Sequence, residues 1–369
     1  MNYYGNRHNE EFIFTRVSWE GFNERENYNY ITSGTIEYAV DSALKVTGKF
    51  DFEGYDLPNP NDLIRVYYRF TNGGESVKHA LATFFVSLPV IDYQDTIHGI
   101  KASGSMNAES VLSVLNNKKL GRPFTVSRSS HVLKIVQDLI SECGLPIKLH
   151  ESSSFQMTSD YTFKSTESYL TTINYLLSLA SYKDAYPDEY GYIHLVPLNE
   201  EGNNLIFAND DNSIMYPQLS NENNWQTTPN VVKLVFNTDE YYMIGTASNL
   251  DGSRASLSNR GGRETTYVEE ISNVGEGTRS LLLKQKAEEI LKEKSTDLEY
   301  VKFEHCWIPM NLYDSVTINY SDRSWTGILD NFSIELSPSI KTTSKIKKSL
   351  VQDIVIDSSC TVYRGEETE

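Results

Sequence analysis

The chain has 369 residues, with 33 Lys and Arg against 50 Asp and Glu for a net charge of −17, and a length that suits two to four domains. That acidic balance argues against phosphate-backbone binding as the main task, which needs clustered cations to displace counterions, and 39% apolar residues exclude global disorder. The seven histidines stand no closer than nineteen residues apart, and Cys143, Cys306 and Cys360 form no CxxC, which excludes an HExxH site, a zinc ribbon and a disulfide scaffold.

The first hundred residues read as β. Six short stretches, 12–19, 34–40, 43–52, 62–70, 80–88 and 96–103, are rich in β-branched and aromatic residues. Leu44, Val46, Phe50 and Phe52 recur at every second position apart from Gly48. Turn signals at Ser33-Gly34, Leu57-Pro58-Asn59-Pro60 and Asn72-Gly73-Gly74 separate the stretches, so a small antiparallel barrel is expected over 1–105.

The texture changes at Met106. Residues 107–117 read as a helix, and a second helix is signed by Ser129 and Ser130 as N-cap candidates, an apolar face from Val132 to Ile140, and the Gly144/Pro146 stop. A third runs from about Ser165 to Ala180, and Tyr190-Gly191-Tyr192-Ile193 reads as a turn and strand. The expectation is an α+β domain over 106–202.

Strands return at 204–207 and 230–236. Eight glycines or serines between Gly245 and Gly262 predict a loop-rich stretch over 245–278, followed by a helix with Thr278 as N-cap candidate and Leu283, Ala287, Ile290 and Leu291 on one face. From Tyr300 to about Ile356 the pattern is β again. The expected fold is mainly β with α+β: two antiparallel barrels, the second split over 203–238 and 300–357, around an inserted loop-plus-helix domain at 239–299. An acidic tail is expected over 358–369.

Motifs for chemistry are missing. No Ser-x-Gly, GxxxxGK[ST] or strand-following GxGxxG occurs, which disfavours serine hydrolysis and phosphate-cradling loops. His131 and Cys143 lie twelve residues apart on one predicted helix and cannot touch. Asn209-Asp210-Asp211-Asn212-Ser213 lacks the glycine and final Glu of a calcium loop and reads as a solvated turn. With 50 acids, the pairs Asp188-Glu189 and Glu269-Glu270 arise by chance rather than as a glycosidase site. Asn259-Arg260-Gly261-Gly262-Arg263 reads as a flexible charged loop tip, and Lys341–Lys348 as a linker or an exposed segment pairing with a neighbouring subunit, before a strand at 350–356. No catalytic, cofactor-binding or metal residue is expected, and no cofactor. The polar start, MNYYGNRHNEEF, is unlike a signal peptide, no run reaches the ~20 apolar residues of a membrane span, and the odd thiols suit assembly in a cytoplasm.

The order of parts resembles the hub proteins at the tip of phage tails and phage-like contractile particles. The stretches that carry it are Phe124 to Pro146, Tyr169 to Ile193, Asn224-Trp225 with Thr228 to Val232, and Trp307 to Val316 with Trp325 to Leu329. In the passage Pro309 to Asp314, Tyr313 stands where the family pattern has glycine. The resemblance implies a homotrimer whose two barrels per chain imitate the tube protein, joining a sixfold tube to a threefold tip in the virion tail or baseplate. The implied partners are a tail tube or distal tail protein, a tape-measure protein and a spike, fibre or tip-cap protein. No enzymatic role is implied, and an acidic lumen would let DNA slide past. The alternative reading is a multi-domain β adhesin that binds a host-surface glycan through some of its 24 tyrosines and four tryptophans.

Overall fold

The computed structural model describes residues 8–57, 63–72, 75–200, 202–208, 214–223, 226–237, 241–271, 279–294, 297–337, 341–350 and 354–364. The polar start up to residue 7, the turns at 58–60 and 73–74, the acidic stretch 209–213, Asn224-Trp225, the Thr278 cap and the tail residues 365–369 lie outside the described residues.

In chain order, β1 (His8–Val17), β2 (Glu24–Asn27), β3 (Ile31–Ala39), β4 (Val46–Gly54), β5 (Leu63–Asn72), β6 (Glu75–Thr96) and β7 (Gly99–Ser110) come first. Alternation decides their faces: Phe50 and Phe52 of β4 are buried, while Asp51 and Glu53 are exposed. Next come α1 (Leu112–Asn117), β8 (Phe124–Val126), α2 (Val132–Ser141), β9 (Ile147–Leu149), β10 (Tyr161–Phe163), α3 (Tyr169–Leu179), β11 (Tyr186–Pro187) and β12 (Ile193–Leu195). Helix α1 is shorter than expected because β7 continues to Ser110 in register with β6. Helix α2 starts at His131 without a side-chain cap, whereas Ser168 caps α3 by accepting from the Thr171 amide at 3.1 Å. The remaining elements are β13 (Asn204–Ala208), β14 (Met215–Asn223), β15 (Val231–Asn237), β16 (Tyr241–Asp251), β17 (Thr266–Ile271), α4 (Arg279–Lys294), β18 (Asp297–Cys306), β19 (Ser315–Tyr320), β20 (Arg323–Glu335), β21 (Lys341–Leu350) and β22 (Val355–Arg364).

The first compact unit holds Met1–Gln218, Phe303–Ser324 and Ile328–Lys345. It holds most of a thirteen-stranded sheet, ordered β2-β1-β5-β6-β7-β4-β3-β20-β21-β18-β14, with β13 and β19 branching from β20; parts of β14, β18, β20 and β21 belong to the second unit. Among the described residues no sheet closes on itself. The two β regions expected as separate barrels instead share this sheet, because β3 pairs antiparallel with β20 from Thr35↔Glu335 to Ala39↔Asn331. The α+β part keeps its own core, where Leu112, Leu115, Val136, Ile140, Ile173 and Leu177 pack together fully buried.

The second unit holds Leu219–Lys302, Trp325–Gly327 and Ile346–Glu369. Its four-stranded sheet runs β17-β15-β16-β22. Val232, Leu234 and Phe236 of β15 and Met243 and Ala247 of β16 pack against Leu283, Ala287 and Leu291, the 0, +4, +8 face of α4. Sequence patterning put β15 in the second barrel and left 245–278 as loop. The glycine and serine content misleads because Gly245 is a packing residue: a Cβ there would lie 2.8 Å from Leu283 Cγ. Two more expectations are corrected. Lys341–Lys348 lies within β21 rather than in a linker, and the tail begins as β22, whose residues up to Arg364 pair with β16.

Candidate functional site

Within the first unit, a cavity of about 540 Å³ lies where the two β regions meet the α+β part. One wall is the small sheet β11-β12-β9, in which β12 pairs parallel to β9 and antiparallel to β11. Ile193 and Leu195 of β12 belong to the α+β core, so the period of two turns His194 to the other face, toward the cavity. Its register partner Lys148 lines the cavity as well, and His150 lies one residue past the end of β9.

These residues form a hydrogen-bonded chain. Glu200 Oε1 lies 2.8 Å from His150 Nδ1, His150 Nε2 lies 2.8 Å from His194 Nδ1, and His194 Nε2 lies 3.3 Å from Asp188 Oδ2. The other Asp188 oxygen accepts the amides of Tyr190 and Tyr192, each at 2.9 Å, which closes the turn before β12. Gly191 supplies that turn's left-handed backbone at φ 91°.

A second wall is the passage into β19. Asp314 is buried. Its Oδ1 accepts the Asn203 amide at 2.8 Å and its Oδ2 the Asn311 amide at 2.7 Å, fastening the start of β13 to the turn before β19. Burial pushes the Asp314 carboxyl above the usual carboxylate range, and these donors oppose the shift. Tyr313 has φ 71°, so the position where the family pattern has glycine does require a left-handed backbone. Its ring meets the Tyr186 ring at 5.7 Å and lies under the Lys183 ammonium at 4.9 Å. Lys183 Nζ donates to the Glu200 carbonyl at 2.7 Å, and burial lowers its pKa; burial raises the Tyr186 phenol to about 12.

The third wall comes from the first β region. Tyr38 stacks on Phe332 of β20 at 4.1 Å, and its hydroxyl donates to the Leu81 carbonyl. Buried Arg65 of β5 donates to Thr83 Oγ1 at 2.9 Å, Glu24 at 3.2 Å and the Tyr190 carbonyl at 3.1 Å, which holds the Asp188–Tyr192 turn in place. Lys45, also buried, reaches Asp184 at 2.9 Å.

This cluster has no local signature in the sequence, because His150 and His194 are 44 residues apart and meet only through the β9–β12 pairing. Of the pair read as chance acids, Asp188 joins the chain of hydrogen bonds, while Glu189 has its carboxyl pushed up by burial. His131 Nε2 faces Gln156 at 3.1 Å, far along α2 from Cys143, whose thiol burial pushes up. Arg260, read as part of an exposed tip, is buried and donates to Thr265 Oγ1 and the Thr228 carbonyl. Among the described residues no group of three or more His, Cys, Asp or Glu converges as a metal would need, and no helix is long and apolar enough to cross a membrane. The four-residue chain is linear, each contact joining only two side chains.

No protein-family model and no curated protein sequence matches the chain. Solved structures do. A tail protein from Neisseria meningitidis MC58 superposes with TM-score 0.63 at 9% identity, covering 92% of this chain and 97% of the other. The 43 kDa tail protein of prophage MuSo2 from Shewanella oneidensis gives TM-score 0.60 at 9% identity, covering 91% and 98%. The fold is that of phage tail proteins. This tail-protein fold extends over nearly the whole chain, and at 9% identity the likeness concerns backbone architecture rather than the cavity's side chains.

Proposed function

We propose that this chain is a structural component of a phage tail tip or baseplate, acting as a hub. Three copies form a ring in which each chain's two β regions act as tube-like domains, adapting a sixfold tail tube to a threefold spike or fibre. The observation that carries the reading is fold likeness to two tail proteins over more than nine-tenths of the chain. Closed cyclic symmetry is the usual solution for soluble homo-oligomers, and a pseudo-sixfold ring of three chains needs two similar domains in each. The partners are a tail tube or distal tail protein above, a tape-measure protein within, and a spike, fibre or tip-cap protein below. The place is the virion tail tip or baseplate, after assembly in the host cytoplasm. The chain acts without catalysis, cofactor or sequence-specific nucleic-acid binding. Its net charge of −17 suits a bore that repels DNA and lets it pass, with carboxylates outnumbering amines on the lining. Across a wide aqueous bore such charges are screened within about 8 Å at physiological ionic strength.

Light scattering coupled to sizing tests the stoichiometry. The expected mass is three chains, alone or with an adjoining tail protein; a stable dimer in both settings contradicts the ring.

A further inference from the structure

The chain Glu200–His150–His194–Asp188 contains three hydrogen-bonded contacts, and each needs one proton. Ionised carboxylates only accept, so with Glu200 and Asp188 ionised His150 Nδ1 and His194 Nε2 must both be N–H donors. Two neutral imidazoles carry one ring proton each, and the outer contacts use both. His150 Nε2 and His194 Nδ1 would then face each other at 2.8 Å as two bare lone pairs. Shifting either tautomer inward only moves the mismatch, leaving a bare nitrogen against a carboxylate. We propose that this cluster is a proton-binding site that holds one proton beyond those of two neutral imidazoles and ionised carboxylates, shared between the two inner nitrogens and closing the cavity wall.

Two states break the wall. Without the extra proton, lone pair opposes lone pair; with a second one, N–H opposes N–H between two cations. The other charged groups lining the cavity do not decide the count. Lys148 and Lys183 are balanced by Glu189 and Asp314, while Lys78 lies 4.0 Å from Glu24. The remaining titratable groups facing the space are His79, whose proton affinity burial lowers, and the phenols of Tyr38, Tyr186, Tyr190 and Tyr313, which burial keeps protonated. Hydrogen-bond count, not long-range charge, therefore fixes the proton. The wall it closes includes the His150 amide, which donates to the Leu195 carbonyl at 3.1 Å across β9 and β12. The inference stands whether or not the chain is a tail hub, since it rests on the cluster alone.

Ring ¹⁵N NMR on the full, chelator-treated chain with labelled histidine tests it at neutral pH. The expected result is a coupling across the hydrogen bond between the two inner nitrogens, which assigns them without substitution, and three protons over four ring nitrogens. Two neutral rings with no such coupling overturn the proposal. Hydrogen exchange gives a second readout. Protection of the His150 amide, corrected for intrinsic rates, should peak near neutral pH and fall at least tenfold on both sides; a flat profile contradicts the switch. Asp188→Asn sharpens the test, because an amide nitrogen can donate to His194 Nε2 while its oxygen keeps the Tyr190 and Tyr192 amides. Three contacts then close with two neutral rings, so the variant should lose the inner-nitrogen extra proton and the peak in protection. Retention of both in the folded variant would also overturn the proposal.

Discussion

Two histidine centres in the first unit, one fully buried and one pairing buried His194 with exposed His150, use the same side chain in opposite ways. His305, on β18, is fully buried between the rings of Phe207 at 4.6 Å and Phe303 at 5.1 Å. Its Nδ1 donates to the Cys306 carbonyl at 2.7 Å, and its Nε2 accepts from the Ser344 hydroxyl at 2.8 Å. One donor and one acceptor match a neutral ring, and burial lowers its pKa to about 4. At His150 and His194 the outer partners are carboxylates, and a neutral pair cannot satisfy the contacts. What a histidine does with a proton is thus set by whether its neighbours donate or accept, with burial setting the stakes.

The largest effect that would break the contrast is His305→Ala. It removes a ring from a packed site and leaves the Ser344 hydroxyl without its acceptor, a loss of about 3–5 kcal/mol in chemical unfolding. Acid comes next. Below pH 6.5 the unfolded chain protonates this histidine while the folded chain does not until about pH 4, so unfolding takes up a proton across that window. Stability should therefore fall as pH drops through it, by about 3 kcal/mol from this group. His305→Gln, which offers one donor and one acceptor without titrating, should flatten that part of the pH–stability curve. Unchanged acid sensitivity in the folded variant would show that His305 is not its source.

On the cavity side, Tyr313→Gly and Tyr313→Ala both lose the ring, but only alanine keeps the left-handed strain. The glycine variant should be more stable than the alanine variant by about 1 kcal/mol in paired denaturant titrations. Equal stabilities would mean that the backbone relaxes there. Ser344→Ala leaves His305 Nε2 without a donor and should cost about 1 kcal/mol, with little change at the His150–His194 pair, a separate cluster.

Much of this architecture was legible in the sequence, and the rest failed for identifiable reasons. Alternation and β-branched and aromatic content mark six of the seven strands that begin before Met106, missing the short, fully exposed β2, and apolar faces mark α2 and α3 within a few residues. The missing glycine at Tyr313 marked a position that does need positive φ. Composition misled in the second unit, where Gly245 packs beneath α4 and Arg260 is buried among backbone carbonyls and a hydroxyl. Local patterning carries no information on which strand edge meets which, so the shared sheet through β3 and β20 was read as two barrels. The histidine cluster is a product of the same long-range pairing. None of its four members is unusual in its own stretch of sequence.

The measurement that bears most directly on the proposed hub is a cryo-electron microscopy reconstruction of the assembled tail containing this chain. Three copies are expected in one ring between tube and spike or fibre, with both β regions of each copy facing the bore and more carboxylates than amines on its surface. Another copy number, a position away from the tube axis, or a bore lined mainly by Lys and Arg would contradict it.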